Sequence, residues 1–156
     1  MKTDARALAA QALARIVFDG VSLRVAFADF STKLPDARDR ALLAALLRDG
    51  ARWWLRYAAA SAQLLERPLP ARERELQALI VLGLVQLDVL GFASYAAVAA
   101  TVEAARALRK PAFAKLVNAV LRRWLRERDR LVAALDADAV TRSAHPAWLL
   151  EEFSAA

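Results

Sequence analysis

The sequence predicts an all-α fold, a compact bundle of about seven helices, and three observations carry that expectation. Ala (38), Leu (26) and Arg (19) supply 83 of 156 residues, and all three are strong helix formers. Only four glycines and five prolines interrupt the chain, so punctuation is sparse and each break separates two runs of i, i+3, i+4 apolar spacing. The 58% hydrophobic content provides one sizeable core at a length that suits one domain.

Taken in order, the first helix follows Met1-Lys2-Thr3-Asp4 and turns Leu8, Ala9, Ala12, Leu13 and Ile16 toward a core. Gly20 closes it, and Ser22 can cap the second helix by accepting an orphan amide hydrogen bond. Lys33-Leu34-Pro35 ends the second. Asp36 stands at an N-cap position with Asp39 in the first turn, where the helix dipole favours a carboxylate. The third helix carries Leu42, Leu43, Leu46 and Leu47, and Gly50 is expected to interrupt it before Trp53 and Trp54 start a fourth. Pro68 and Pro70 bracket a turn. The fifth helix, over about 72–90, is apolar on nearly every side and belongs in the centre of the bundle. Gly83 in its middle costs roughly 1 kcal/mol of helix propensity, which close approach of a neighbouring helix would offset. Gly91 ends that element, Ser94 can cap the sixth, and Pro111 starts the seventh. The bundle is expected over 1–140, with 141–156 beginning a linker.

Membrane readings fail on length. The longest apolar run is eight residues, 78–85, where a spanning helix needs about 20. Arg6 and Arg15 break the first helix where a signal peptide would be purely apolar. A cytoplasmic protein is the expectation.

The charge is unevenly placed. Residues 106–130 hold nine basic and two acidic side chains, a net +7, so the other 131 residues together carry −1 of the total +6. At 100° per residue, Lys115, Asn118, Arg122 and Arg126 share about 80° of arc. Val117, Val120, Leu121 and Trp124 lie opposite, with Arg123 beside the basic arc. Arg109 and Lys110 precede the helix and can extend the patch past its N-terminus. A polyanion, above all a nucleic acid, suits such a row of cations. Two plainer readings stand beside it: a solvated face reflecting an arginine-rich composition, and an acidic membrane surface. Asn118 can meet a base or phosphate, or hydrogen-bond a neighbouring helix terminus.

Catalytic patterns are missing. Without cysteine there is no disulfide scaffold, thiolate metal site or thiol nucleophile. His145 is the only histidine, and no Gly-rich phosphate loop or nucleophile elbow occurs. The pairs Glu73/Glu75 and Glu151/Glu152 read as solvated helix positions. The four tryptophans lie too far apart in the chain for a stacking platform and read as core, with at least one of Trp53 and Trp54 buried.

Several strings together carry a family resemblance: Asp39-Arg40-Ala41-Leu42-Leu43, Gly50-Ala51-Arg52-Trp53, Leu82-Gly83-Leu84-Val85-Gln86-Leu87 and Val102-Glu103-Ala104-Ala105-Arg106. The most specific are Lys115-Leu116-Val117-Asn118-Ala119-Val120-Leu121-Arg122-Arg123 and the exit His145-Pro146-Ala147-Trp148-Leu149. In order and spacing the chain resembles the N-terminal NusB-like domain of the RsmB/Sun (Fmu) family of small-subunit ribosomal RNA cytosine-C5 methyltransferases. The resemblance implies an all-α bundle and ribosomal RNA as partner. It also implies a methyltransferase domain in cis that binds S-adenosylmethionine and attacks cytosine with a cysteine thiolate. This chain has no such cysteine, so the expectation is a recognition domain with no catalysis and no cofactor of its own. The RNA-binding set expected is Lys2, Arg6, Arg109, Lys110, Lys115, Asn118, Arg122, Arg123 and Arg126. Two alternatives remain: a stand-alone NusB-type antitermination factor that binds RNA with a ribosomal protein, and a protein-docking domain. The former branch usually has glycine where Ala119 stands. Relatives also often place proline before the tyrosine that matches Tyr95, where this chain has Ala93-Ser94.

Overall fold

The computed structural model describes residues 3–155. Among them run nine α-helices: α1 (Ala5–Asp19), α2 (Leu23–Ser31), α3 (Ala37–Arg52), α4 (Trp54–Leu64), α5 (Arg74–Asp88), α6 (Ser94–Ala107), α7 (Ala114–Asp136), α8 (Ala139–Ser143) and α9 (Ala147–Ala155). The seven expected helices occur in order. A single 3-10 turn, Pro111–Phe113, leads into α7, and α8 and α9 add two short elements beyond it.

Local chemistry accounts for most boundaries. The Asp4 carboxylate accepts from the Ala7 amide at the start of α1, and Gly20 ends that helix at φ 71°. The Ser22 hydroxyl accepts from the Val25 amide at 3.1 Å, and Asp36 accepts from Arg38 at 2.8 Å. Ser94 does not act as a cap: Ala93 occupies that position, and no side chain covers the amides of the first turn of α6.

Gly50 corrects the expectation of a break. Helix α3 runs through it to Arg52, and the turn falls at Trp53. A Cβ at Gly50 would lie 2.9 Å from Leu82 and 3.0 Å from Leu13, so the glycine serves the contact of α3 with α5 and α1. Helix α5 touches α1, α3, α4, α6 and α7, which makes it the central helix its all-round hydrophobicity requires. Gly83 admits a close approach of α7: an added Cβ would meet the Leu121 methyls at 2.7 and 2.9 Å.

Three further expectations are corrected. Neither Trp53 nor Trp54 is fully buried; both pack half-exposed at the rim of the core, Trp54 edge-on to Phe18. Trp148 is 65% exposed on α9, outside the core. Glu73 is buried, because Lys110 reaches it at 2.6 Å.

A candidate nucleic-acid interface on helix 7

Helix α7 is rotated by its apolar side. Val117, Val120, Leu121 and Trp124 are buried, and Trp124 lies edge-on to Tyr57 with ring centroids 6.1 Å apart. That burial leaves Lys115, Arg122 and Arg126 exposed on the outer face with Asn118 half-buried among them, as the helical arithmetic requires.

A polar knot fixes the second half of the helix. The Tyr57 hydroxyl donates to Asp88 at 2.5 Å, and Arg128 reaches the other oxygen of the same carboxylate at 2.7 Å. This hydrogen bond, with the carboxylate charge behind it, holds the Arg128 guanidinium above its ordinary value. At Glu127 the backbone leaves helical geometry and α7 kinks. The Glu127 carboxylate takes Arg123 and Arg130 at 2.5 Å each, and those hydrogen bonds, Arg123 first, lower its pKa.

The structure divides the expected cations into three sets. Lys115, Arg122 and Arg126 make no ion pair or side-chain hydrogen bond among the described residues. Asn118 likewise makes none, and it lines a groove of about 430 Å³ between α6 and α7 with Tyr95, Val98, Arg122, Leu125 and Arg126. Arg126 also lines the groove on the α4 side of the helix, so it stands on the crest between the two.

Arg123 and Lys110 are internally partnered. Arg123 pairs with Glu127 and donates to the Leu64 carbonyl at 3.2 Å, at the end of α4. Lys110 is held by Glu73. The reason Lys110 leaves the patch is the backbone at Arg109, whose φ of 61° sends consecutive side chains to different depressions.

Arg109 and Arg6 form the third set. They line a cleft with Asp4, Asp39 and Glu103, where carboxylates offset their charge. Arg6 also donates to Gln86 at 2.7 Å; its pKa is lowered by burial, with Asp4 and Asp39 working against that. Gln86 is fully buried and donates in turn to Thr101 and to the Leu82 carbonyl, at 3.1 Å each, so Arg6 closes a satisfied polar network. Lys2 lies outside the described residues.

Sequence reasoning did not single out Tyr95 as a candidate site residue. It is 87% exposed at the start of α6, on the lip of the α6/α7 groove. The sequence signal was a large aromatic at the start of an alanine-rich helix, with Val98 and Val102 following at i+3 and i+7. No group of three His, Asp or Glu residues among those described is placed to hold a metal ion.

An all-helical bundle with a central apolar helix and one outward cationic helix face defines a small helical domain with a groove lined in part by arginine. The NusB family pattern matches residues 3–126, and the chain belongs to that family. It is similar to ribosomal RNA small subunit methyltransferase B of Pseudomonas putida, 40% identical over 150 residues that cover 96% of this chain and 34% of the relative. The same-named protein of Xanthomonas campestris is 43% identical over 96% of this chain and 33% of its own length. That of Escherichia coli is 35% identical over 97% and 35%. The chain therefore spans about a third of the length of the curated relatives it matches.

Proposed function

We propose that this chain is the RNA-binding domain of a small-subunit ribosomal RNA methyltransferase, and that it delivers the enzyme to its substrate without performing the chemistry. One observation carries the reading: burial of the Val117–Trp124 side of α7 fixes Lys115, Arg122 and Arg126 outward, with no carboxylate partner among the described residues. Such cations bind phosphate and release counterions, giving affinity that depends on salt more than on sequence.

The methyl donor implied by the resemblance does not fit the residues here. Gly20 and Gly91 sit in left-handed turns that end helices, and Gly50 and Gly83 fill helix contacts, so none is available for a ligand-cradling loop. S-adenosylmethionine and the catalytic cysteine are accordingly assigned to a methyltransferase domain in cis, in a cytoplasmic enzyme. The proposed end of the bundle near residue 140 falls within α8, which packs on α4 and whose Ser143 carbonyl accepts from Arg52 at 2.9 Å. Exposed Trp148 and Phe153 on α9 favour a second role for the segment beyond it, as a surface for a protein partner such as that domain or a ribosomal protein.

The test is binding of a fluorescein-labelled fragment of small-subunit ribosomal RNA. Changing Lys115, Arg122 and Arg126 together to Glu is expected to abolish binding while the thermal midpoint stays within a few degrees. Undiminished affinity in that variant rejects the reading.

A further inference from the structure

The groove between α6 and α7 combines features that a phosphate-binding surface alone does not need. Lys115, Arg122 and Arg126 would hold a backbone without it. The lip carries an aromatic ring almost wholly in water, Tyr95, although burying such a ring elsewhere would be favourable. Below the ring, Val98 of α6 and Leu125 of α7 line the groove with apolar surface. Beside them Asn118 is half-buried and makes no side-chain hydrogen bond among the described residues, leaving donors and an acceptor free. Arg122 and Arg126 complete the lining, and the volume of about 430 Å³ accommodates one nucleotide.

Each part matches a part of an unpaired nucleotide. A base has a π-face for Tyr95, edge donors and acceptors for Asn118, and a phosphate for the two guanidinium groups. In a paired stem the face is stacked and the edge is used, so neither would be available to this groove. We propose that the α6/α7 groove is a subsite for a single unpaired nucleotide of RNA, stacked on Tyr95 and read at its edge by Asn118. This rests on the RNA-binding reading above and specifies it: the domain selects a loop, bulge or single-stranded junction over a continuous helix.

The experiment uses the whole chain with two labelled RNAs of equal length and charge. One is a single-stranded oligoribonucleotide of about a dozen residues containing 2-aminopurine, within the range of site sizes of such proteins; the other is a fully paired hairpin stem. Tyr95→Ala is expected to weaken single-strand binding about tenfold or more, the loss of one aromatic–base stack. It should leave stem binding within about twofold, since phosphate contacts carry that affinity. Tyr95→Phe keeps the ring and should retain single-strand binding, with 2-aminopurine quenching preserved in Tyr95→Phe and lost in Tyr95→Ala. The exposure of Tyr95 means that both variants should fold with unaltered thermal midpoints. Equal losses on the two RNAs, or no loss on either, overturns the subsite while leaving RNA binding intact. Failure of the unaltered protein to bind either RNA removes the RNA-binding reading and the subsite with it.

Discussion

Under the proposed RNA-binding reading, salt dependence measures how many of the candidate cations on and just before α7 engage phosphate. Three of them, Lys115, Arg122 and Arg126, have no internal partner among the described residues, whereas Lys110 and Arg123 are held by Glu73 and Glu127. With about 0.7 counterions released per phosphate on a single strand, three contacts give a slope of about −2.1 in log K against log salt. Raising KCl from about 50 to about 200 mM should then weaken binding roughly twentyfold. The double variant Arg122→Ala/Arg126→Ala retains one of these contacts, so its slope should fall to about −0.7 and the same change in salt should cost less than about threefold. Fluorescence anisotropy titrations at four salt concentrations provide both slopes. A double variant with the slope of the parent would refute the assignment. So would a parent slope near −3.5, because all five cations would then be engaged and the Glu73 and Glu127 pairs would have to open.

The contacts that position this face can be tested separately. Gly83→Ala places a methyl group against Leu121, a strain of about 1–3 kcal/mol against a helix-propensity gain of about 1. A lower thermal midpoint is expected, and the cost should shrink in a Leu121→Ala background, where the methyl fills the space vacated; a midpoint that rises contradicts the close approach. Lys110→Ala removes the shorter of the two ion pairs of the buried Glu73 carboxylate, leaving only Arg72 at 3.8 Å, and should destabilise the fold by about 1–3 kcal/mol in urea while the salt slope of RNA binding stays unchanged. Tyr57 is pushed up first by burial and then by its hydrogen bond to Asp88. Its folded pKa lies above the unfolded value of about 10, so its contribution is fully present below that pH and declines as pH rises further. Tyr57→Phe should therefore be less stable than the parent at neutral pH, with the gap narrowing in alkaline urea denaturation; a constant gap would count against the Tyr57–Asp88 bond.

What the sequence makes legible here follows from the range over which each signal acts. Gly20, Ser22 and Asp36 operate within one helical turn, and all three end or begin helices as read. The outward face of α7 is legible because four apolar side chains on one arc determine the rotation of the rest. Gly50 misleads because a helix-weakening residue marks either a break or a contact, and the contact lies with Leu13 and Leu82, more than thirty residues away in each direction. The partners of the cations belong to the same order of distance: Glu73 is 37 residues from Lys110, and Asp88 is 40 from Arg128. Even the local Arg123–Glu127 pair, a spacing that sequence does expose, sits at a kink that it does not, where Glu127 takes Arg130 as well. A charge count along a chain thus sets an upper bound on its electrostatic footprint, and burial and pairing decide how much of that bound is realised. In residues 106–130 nine cations reduce to three on the outer face of α7, and those three, with Tyr95 and Asn118 at the groove between them and α6, are the residues on which the proposed RNA surface and a merely solvated helix make different predictions.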